Sequence, residues 1–104
     1  MFEKHNRYIT KRVAEEVSQE VQRLIWDILA SFVNGRDPDS VDYLQIFSLS
    51  VARINGINTQ RLIHRQEKPP FQEMAIFEVD LPIEATLYAY GEKEQTILMF
   101  SEDY

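Results

Sequence analysis

Cysteine is absent from the 104 residues, which excludes disulfide staples, thiolate nucleophiles and cysteine-based zinc sites and leaves a packed core to hold the fold. No stretch approaches the roughly 18 consecutive apolar residues of a membrane span. Residues 1–12 carry Lys4, Arg7, Lys11 and Arg12 without the apolar run of a signal peptide, so a cytoplasmic location with no membrane contact is expected. Histidine occurs only at His5 and His64, and neither has a second ligand at helical spacing or a metal motif around it; no metal and no cofactor is expected. The three glycines, Gly35, Gly56 and Gly91, stand apart and read as turn residues, so no phosphate-cradling loop is present. No serine sits in a nucleophile elbow. With so few carriers of chemistry, no catalytic residue is assigned, and a non-enzymatic chain is the favoured expectation.

What is present suits one domain. A chain of this length hides about 65% of its unfolded surface on folding, enough for an ordinary core. The net charge of −6 is unevenly spread. Residues 1–68 balance at +1, whereas residues 69–104 hold Lys93 against eight carboxylates, a balance of −7. Such a split creates a one-signed field only where the charges share a surface; otherwise it solubilises strand faces.

Val17, Val21, Leu24, Ile25, Ile28, Leu29 and Phe32 recur at spacings of three and four, the pattern of a helix with one apolar stripe. Ser18 supplies a capping oxygen, Glu20 suits the positive helix end, and Asn34-Gly35 provides a left-handed stop. The spacing therefore predicts a helix over 19–33, with Trp26 at the edge of its stripe. From Tyr43 to Val51 apolar groups fall on both parities, as in a central strand. Asn55-Gly56 then predicts a hairpin into a second strand, Thr59 to Glu67, which Lys68-Pro69-Pro70 ends. Three more strands are expected at Glu73–Val79, Ile83–Tyr90 and Thr96–Phe100, the last after a turn over Gly91–Gln95, with an edge strand near Arg7–Thr10. In the middle one Ile83, Ala85, Leu87 and Ala89 face the core and Glu84, Thr86, Tyr88 and Tyr90 face outward. The expected fold is α+β: one amphipathic helix packed on an antiparallel sheet or half-open barrel of about five to six strands, as a single domain over 1–104.

The densest chemistry is Arg61-Leu62-Ile63-His64-Arg65-Gln66-Glu67-Lys68. On a strand, Arg61 and Arg65 share one face, and His64 takes the other. The two arginines, taken as about 7 Å apart, would hold a phosphate or carboxylate, with Arg53 across the hairpin extending the patch. Tyr43 or Phe71 would stack nearby, as in small sheets that bind single strands. The competing reading pairs these arginines with carboxylates of neighbouring strands. Glu78 and Asp80, two apart on one strand face, suit paired acid and base groups only if they are buried.

Arg7-Tyr8-Ile9-Thr10, Asp42-Tyr43-Leu44-Gln45-Ile46-Phe47, Ile63-His64-Arg65-Gln66-Glu67 with Pro69-Pro70-Phe71, and Met99-Phe100-Ser101-Glu102-Asp103-Tyr104 occur in this order along essentially the whole chain. In these phrases the chain resembles a small Gram-positive bacterial family, a domain of unknown function numbered nine-sixty, which also occurs in phage and mobile-element contexts. The resemblance implies a cytoplasmic bacterial or phage protein and assigns no activity.

The resulting expectation is an interaction module that binds a protein or nucleic-acid-associated partner through its sheet. The contact residues would be Arg53, Arg61, His64 and Arg65, with Tyr88 and Tyr90 as a second patch. A protein partner is favoured, because a net −6 opposes broad nucleic-acid affinity; the chain would be a monomer or homodimer. Two alternatives differ in class. One is a small enzyme using His64 with Glu67 or a carboxylate of the last strands, and the other is an acidic decoy that mimics nucleic acid.

Overall fold

A computed structural model describes residues 2 and 6–104; His5 lies outside the described residues. The chain forms strand β1 (Arg7–Ile9), helices α1 (Lys11–Glu16) and α2 (Gln19–Val33), then β2 (Leu44–Ile54), β3 (Ile57–Gln66), β4 (Phe71–Phe77), β5 (Ala85–Glu92) and β6 (Gln95–Phe100), with single 3-10 turns at Pro38–Ser40 and Ser101–Asp103. This is an α+β fold on an open six-stranded sheet, in the order β1-β6-β5-β2-β3-β4. All neighbours are antiparallel except the short β1, which lies parallel to β6.

The main helix spans the predicted residues. Its N-cap Ser18 accepts from the Val21 amide, and Gly35 follows its C-terminus at φ +79°. Val21, Ile25, Leu29 and Phe32 are buried along one stripe, while Trp26 at its edge carries the Arg7 guanidinium 4.9 Å from its ring centre. The shorter α1 was not predicted. It is capped by Thr10, whose side chain accepts from the Val13 amide, and it buries Val13. Arg12 on its surface pairs with Glu16, Glu102 and Asp103 and covers the Phe100 ring, fastening the turn after β6 to this helix.

The β2–β3 hairpin turns at Asn55 and Gly56, both with positive φ (51° and 79°), the two-residue geometry that matches strand twist. It sets Phe47 opposite His64 and Leu49 opposite Leu62. β2 lies centrally, between β5 and β3. Alternation then divides the sheet. Phe47, Leu49, Leu62, Leu87, Ala89, Leu98 and Phe100 meet the α2 stripe in one core. Ile46, Tyr88, Tyr90, Ile63, Arg61, Arg65, Met74 and Ile76 belong to the other face by register. Gln60, on the core side, accepts from the Ile83 amide and donates to the Ile83 and Ser50 carbonyls, so the β4–β5 connection is held to the hairpin. No helix among the described residues is long and apolar enough to cross a membrane.

Candidate functional site

The sheet separates the residues singled out from the sequence. Arg61 and Arg65 lie on the face away from α2. Arg61 stands opposite Ser50 and Ile76, and Arg65 opposite Ile46 and Gln72. Four residues on a strand span about 13 Å rather than 7 Å, so one small anion cannot be gripped by both. Neither arginine forms an ion pair among the described residues. The competing pairing with carboxylates of residues 69–104 is not seen there: Glu102 and Asp103 pair with Arg12, Glu73 stands opposite His64, Glu78, Asp80 and Glu84 occupy the β4–β5 connection, and Glu92 and Glu94 lie at the β5–β6 turn at the opposite end of the sheet. This dispersal runs against a single contiguous acidic surface.

Tyr88 and Tyr90 share the Arg61 face. Their rings meet Tyr104 edge-on at 5.4 and 5.6 Å, and Tyr90 meets Tyr43 at 5.7 Å. Tyr43 is 50% and Tyr104 60% exposed. On the β3–β4 side of the same face Met74 (52%) and Ile76 (45%) are exposed beside Arg61. Among the described residues both helices pack on the other side. This open face therefore joins four tyrosines, two arginines and exposed Met and Ile side chains. Tyr104 escaped the sequence reading because it follows the last strand, where alternation gives no signal.

Arg53 does not join this patch. It sits near the hairpin tip, opposite Asn58, whose Oδ1 accepts from its guanidinium at 3.4 Å. His64 does not join it either. Its side chain is on the α2 face, 2% exposed, stacked on Phe47 at 4.7 Å and met edge-on by Phe32 and Phe71 at 4.8 and 5.4 Å. As a contact residue of the open face it is corrected by strand alternation: its neighbours Ile63 and Arg65 point the other way.

Polar groups hold His64 from below. Its Nε2 lies 2.7 Å from Gln45 Oε1. Gln45 Nε2 donates to the Asp42 carbonyl and to Gln66 Oε1, both at 2.8 Å. Gln66 Nε2 in turn donates to the carbonyls of Ser40 and Pro69, and its Oε1 also accepts from the Asp42 amide. Burial, with a smaller push from Arg36, lowers the His64 pKa to about 4, so the imidazole is neutral at pH 7. It lines a cleft of about 270 Å³ between the end of α2 and the β3–β4 pair, together with Ser31, Phe32, Arg36 and Glu73. The enzyme alternative meets a mixed geometry. His64 and Glu73 share this cleft, whereas the hydrogen-bond partner of His64 is an amide, and a base with pKa about 4 is weak at neutral pH. Glu67 lies exposed past the end of β3. Among the described residues no group of three or more His, Asp or Glu side chains is placed to hold a metal.

Comparison with known proteins adds fold and family. A family described as "Staphylococcal protein of unknown function (DUF960)" matches residues 6–103. A crystal structure of a protein of unknown function from Enterococcus faecalis is similar over 99% of this chain and 94% of its own, with a TM-score of 0.75 and 17% sequence identity. No curated protein matches the chain.

Proposed function

We propose that this chain, which belongs to the DUF960 family, is a binding module that docks a protein partner on the open face of its sheet. The observation that carries the reading is the composition of that face: Tyr43, Tyr88, Tyr90 and Tyr104 in edge contact, beside Arg61, Arg65, Met74 and Ile76. Tyrosine, arginine and methionine are the residue types enriched in protein interfaces. The tyrosines combine large apolar area with a polar tip and, with only two side-chain torsions, lose little conformational freedom on docking. The edge strand β4 adds unpaired backbone groups along the rim of the patch. The overall charge of −6 opposes a nucleic-acid partner, whose binding is driven by phosphate neutralisation.

Affinity capture from a lysate of a related bacterium, run in parallel with the wild type and with Arg61→Ala plus Arg65→Ala, tests this. A protein retained by the wild type and lost by the double variant supports the reading. Salt-sensitive oligonucleotide binding that disappears in the same variant replaces it with a nucleic-acid partner, and equal capture by both proteins removes the open face from the account.

A further inference from the structure

The cleft on the α2 side lies across the sheet from the open face and has its own chemistry. Phe32 and Phe71 form an aromatic wall, their rings 4.5 Å apart. The Arg36 guanidinium lies over both, 4.1 and 5.1 Å from their centres. At about 270 Å³ the space falls just below the usual range for drug-sized ligands and suits one ring or two fused rings.

The proton on His64 can be placed by following the amides beneath it. Carbonyl oxygens only accept, so the Ser40 and Pro69 carbonyls orient Gln66 with its nitrogen toward them, and the Asp42 carbonyl orients Gln45 in the same way. Gln45 therefore presents an oxygen to His64, and Nε2 must carry the hydrogen. Nδ1 is left with a lone pair and no donor among the described residues. The one buried side-chain atom there that lacks both a partner and solvent contact is Thr96 Oγ1, so Nδ1 keeps contact with solvent, and the solvent space that His64 lines is this cleft.

We infer that the cleft binds a small aromatic carboxylic acid, its ring laid against the Phe32–Phe71 wall, an O–H or N–H donating to His64 Nδ1, and its carboxylate on the Arg36 guanidinium. A guanidinium fork matches a carboxylate in bidentate fashion. Glu73 lines the same cleft and repels a dianion more than a monoanion, which favours a carboxylate over a phosphate.

Ring-nitrogen NMR of the full chain, titrated with 4-hydroxybenzoate and with indole-3-carboxylate, tests the inference; acetate and phenol serve as controls lacking the ring or the acid. The expected result is a saturable shift of the His64 Nδ1 resonance with an apparent Kd below about 1 mM for at least one of the two acids. Arg36→Ala should weaken that binding at least about tenfold, Arg36→Lys should weaken it less because the charge stays while the fork is lost, and Glu73→Gln should tighten it. A His64 ring protonated on Nδ1, no saturable shift with either acid, or affinity indifferent to Arg36→Ala overturns the inference. The Arg61 and Arg65 variants should bind the acids unchanged, which separates this result from the docking face.

Discussion

Acidification is the perturbation that isolates His64. Packed against Phe47, Phe32 and Phe71, the folded imidazole has a pKa of about 4, against about 6.5 in an unfolded chain. Between these values the unfolded chain binds a proton that the folded one does not. Stability therefore falls as the pH drops through that window and is unaffected by His64 above it. One pH unit within the window is worth about 1.4 kcal/mol, so His64 should cost the fold about 2 kcal/mol at pH 5 and about 3 kcal/mol below pH 4. That is a large share of the roughly 5–15 kcal/mol that holds a domain together. Carboxylates titrate over the same range, so the informative quantity is a difference. Urea unfolding of the wild type and of His64→Gln, followed through Trp26 fluorescence, gives the stability gap between them at each pH. His64→Gln lacks the aromatic stack but has nothing to titrate there, so the gap should shrink by about 2 kcal/mol between pH 7.5 and pH 5. A gap constant to within about 0.5 kcal/mol, or a His64 resonance titrating above pH 6, would refute the reasoning.

Gln66→Leu removes the amide that partners the Ser40 and Pro69 carbonyls, the Asp42 amide and Gln45; buried groups left without partners should lower stability by about 3 kcal/mol in urea unfolding. Thr96→Val acts in the opposite direction. The hydroxyl is buried without a partner among the described residues, and replacing it with a methyl should be neutral or stabilising by up to about 1 kcal/mol, seen as an unchanged or higher Tm. Ser18→Ala removes the cap on the Val21 amide and should cost about 1 kcal/mol, with helical circular dichroism retained below the transition.

Much of this geometry follows from two short signals. The period of the Val17–Phe32 stripe and the cap at Ser18 suffice for α2, because an amphipathic helix repeats its signature over several turns. Asn55-Gly56 does more, since a two-residue turn fixes the register of everything behind it. Once Ile54 faces Ile57, Phe47 must face His64 and Gln45 must meet Gln66, so the buried amide chain was in principle readable from the hairpin. The six-residue α1 is too short for periodicity to mark it. The place of β5 beside β2 is likewise invisible locally. Consecutive strands usually pair, and nothing in Glu78–Glu84 announces that the chain leaves the β4 edge and crosses to the other side of the hairpin. With that crossing unread, the arginines could not be set against or apart from the carboxylates of residues 69–104. Tyr43 and Tyr104 flank their strands and reach the tyrosine cluster only through the tertiary fold.

Site-specific cross-linking tests the docking face most directly. A benzophenone side chain is placed at position 76 on the open face and, separately, at position 30 on the exposed side of α2, and each protein is irradiated with the captured partner. The account predicts cross-links from position 76, none from position 30, and loss of the former with Arg61→Ala plus Arg65→Ala. Cross-links from position 30 alone, or equally from both positions, would contradict it.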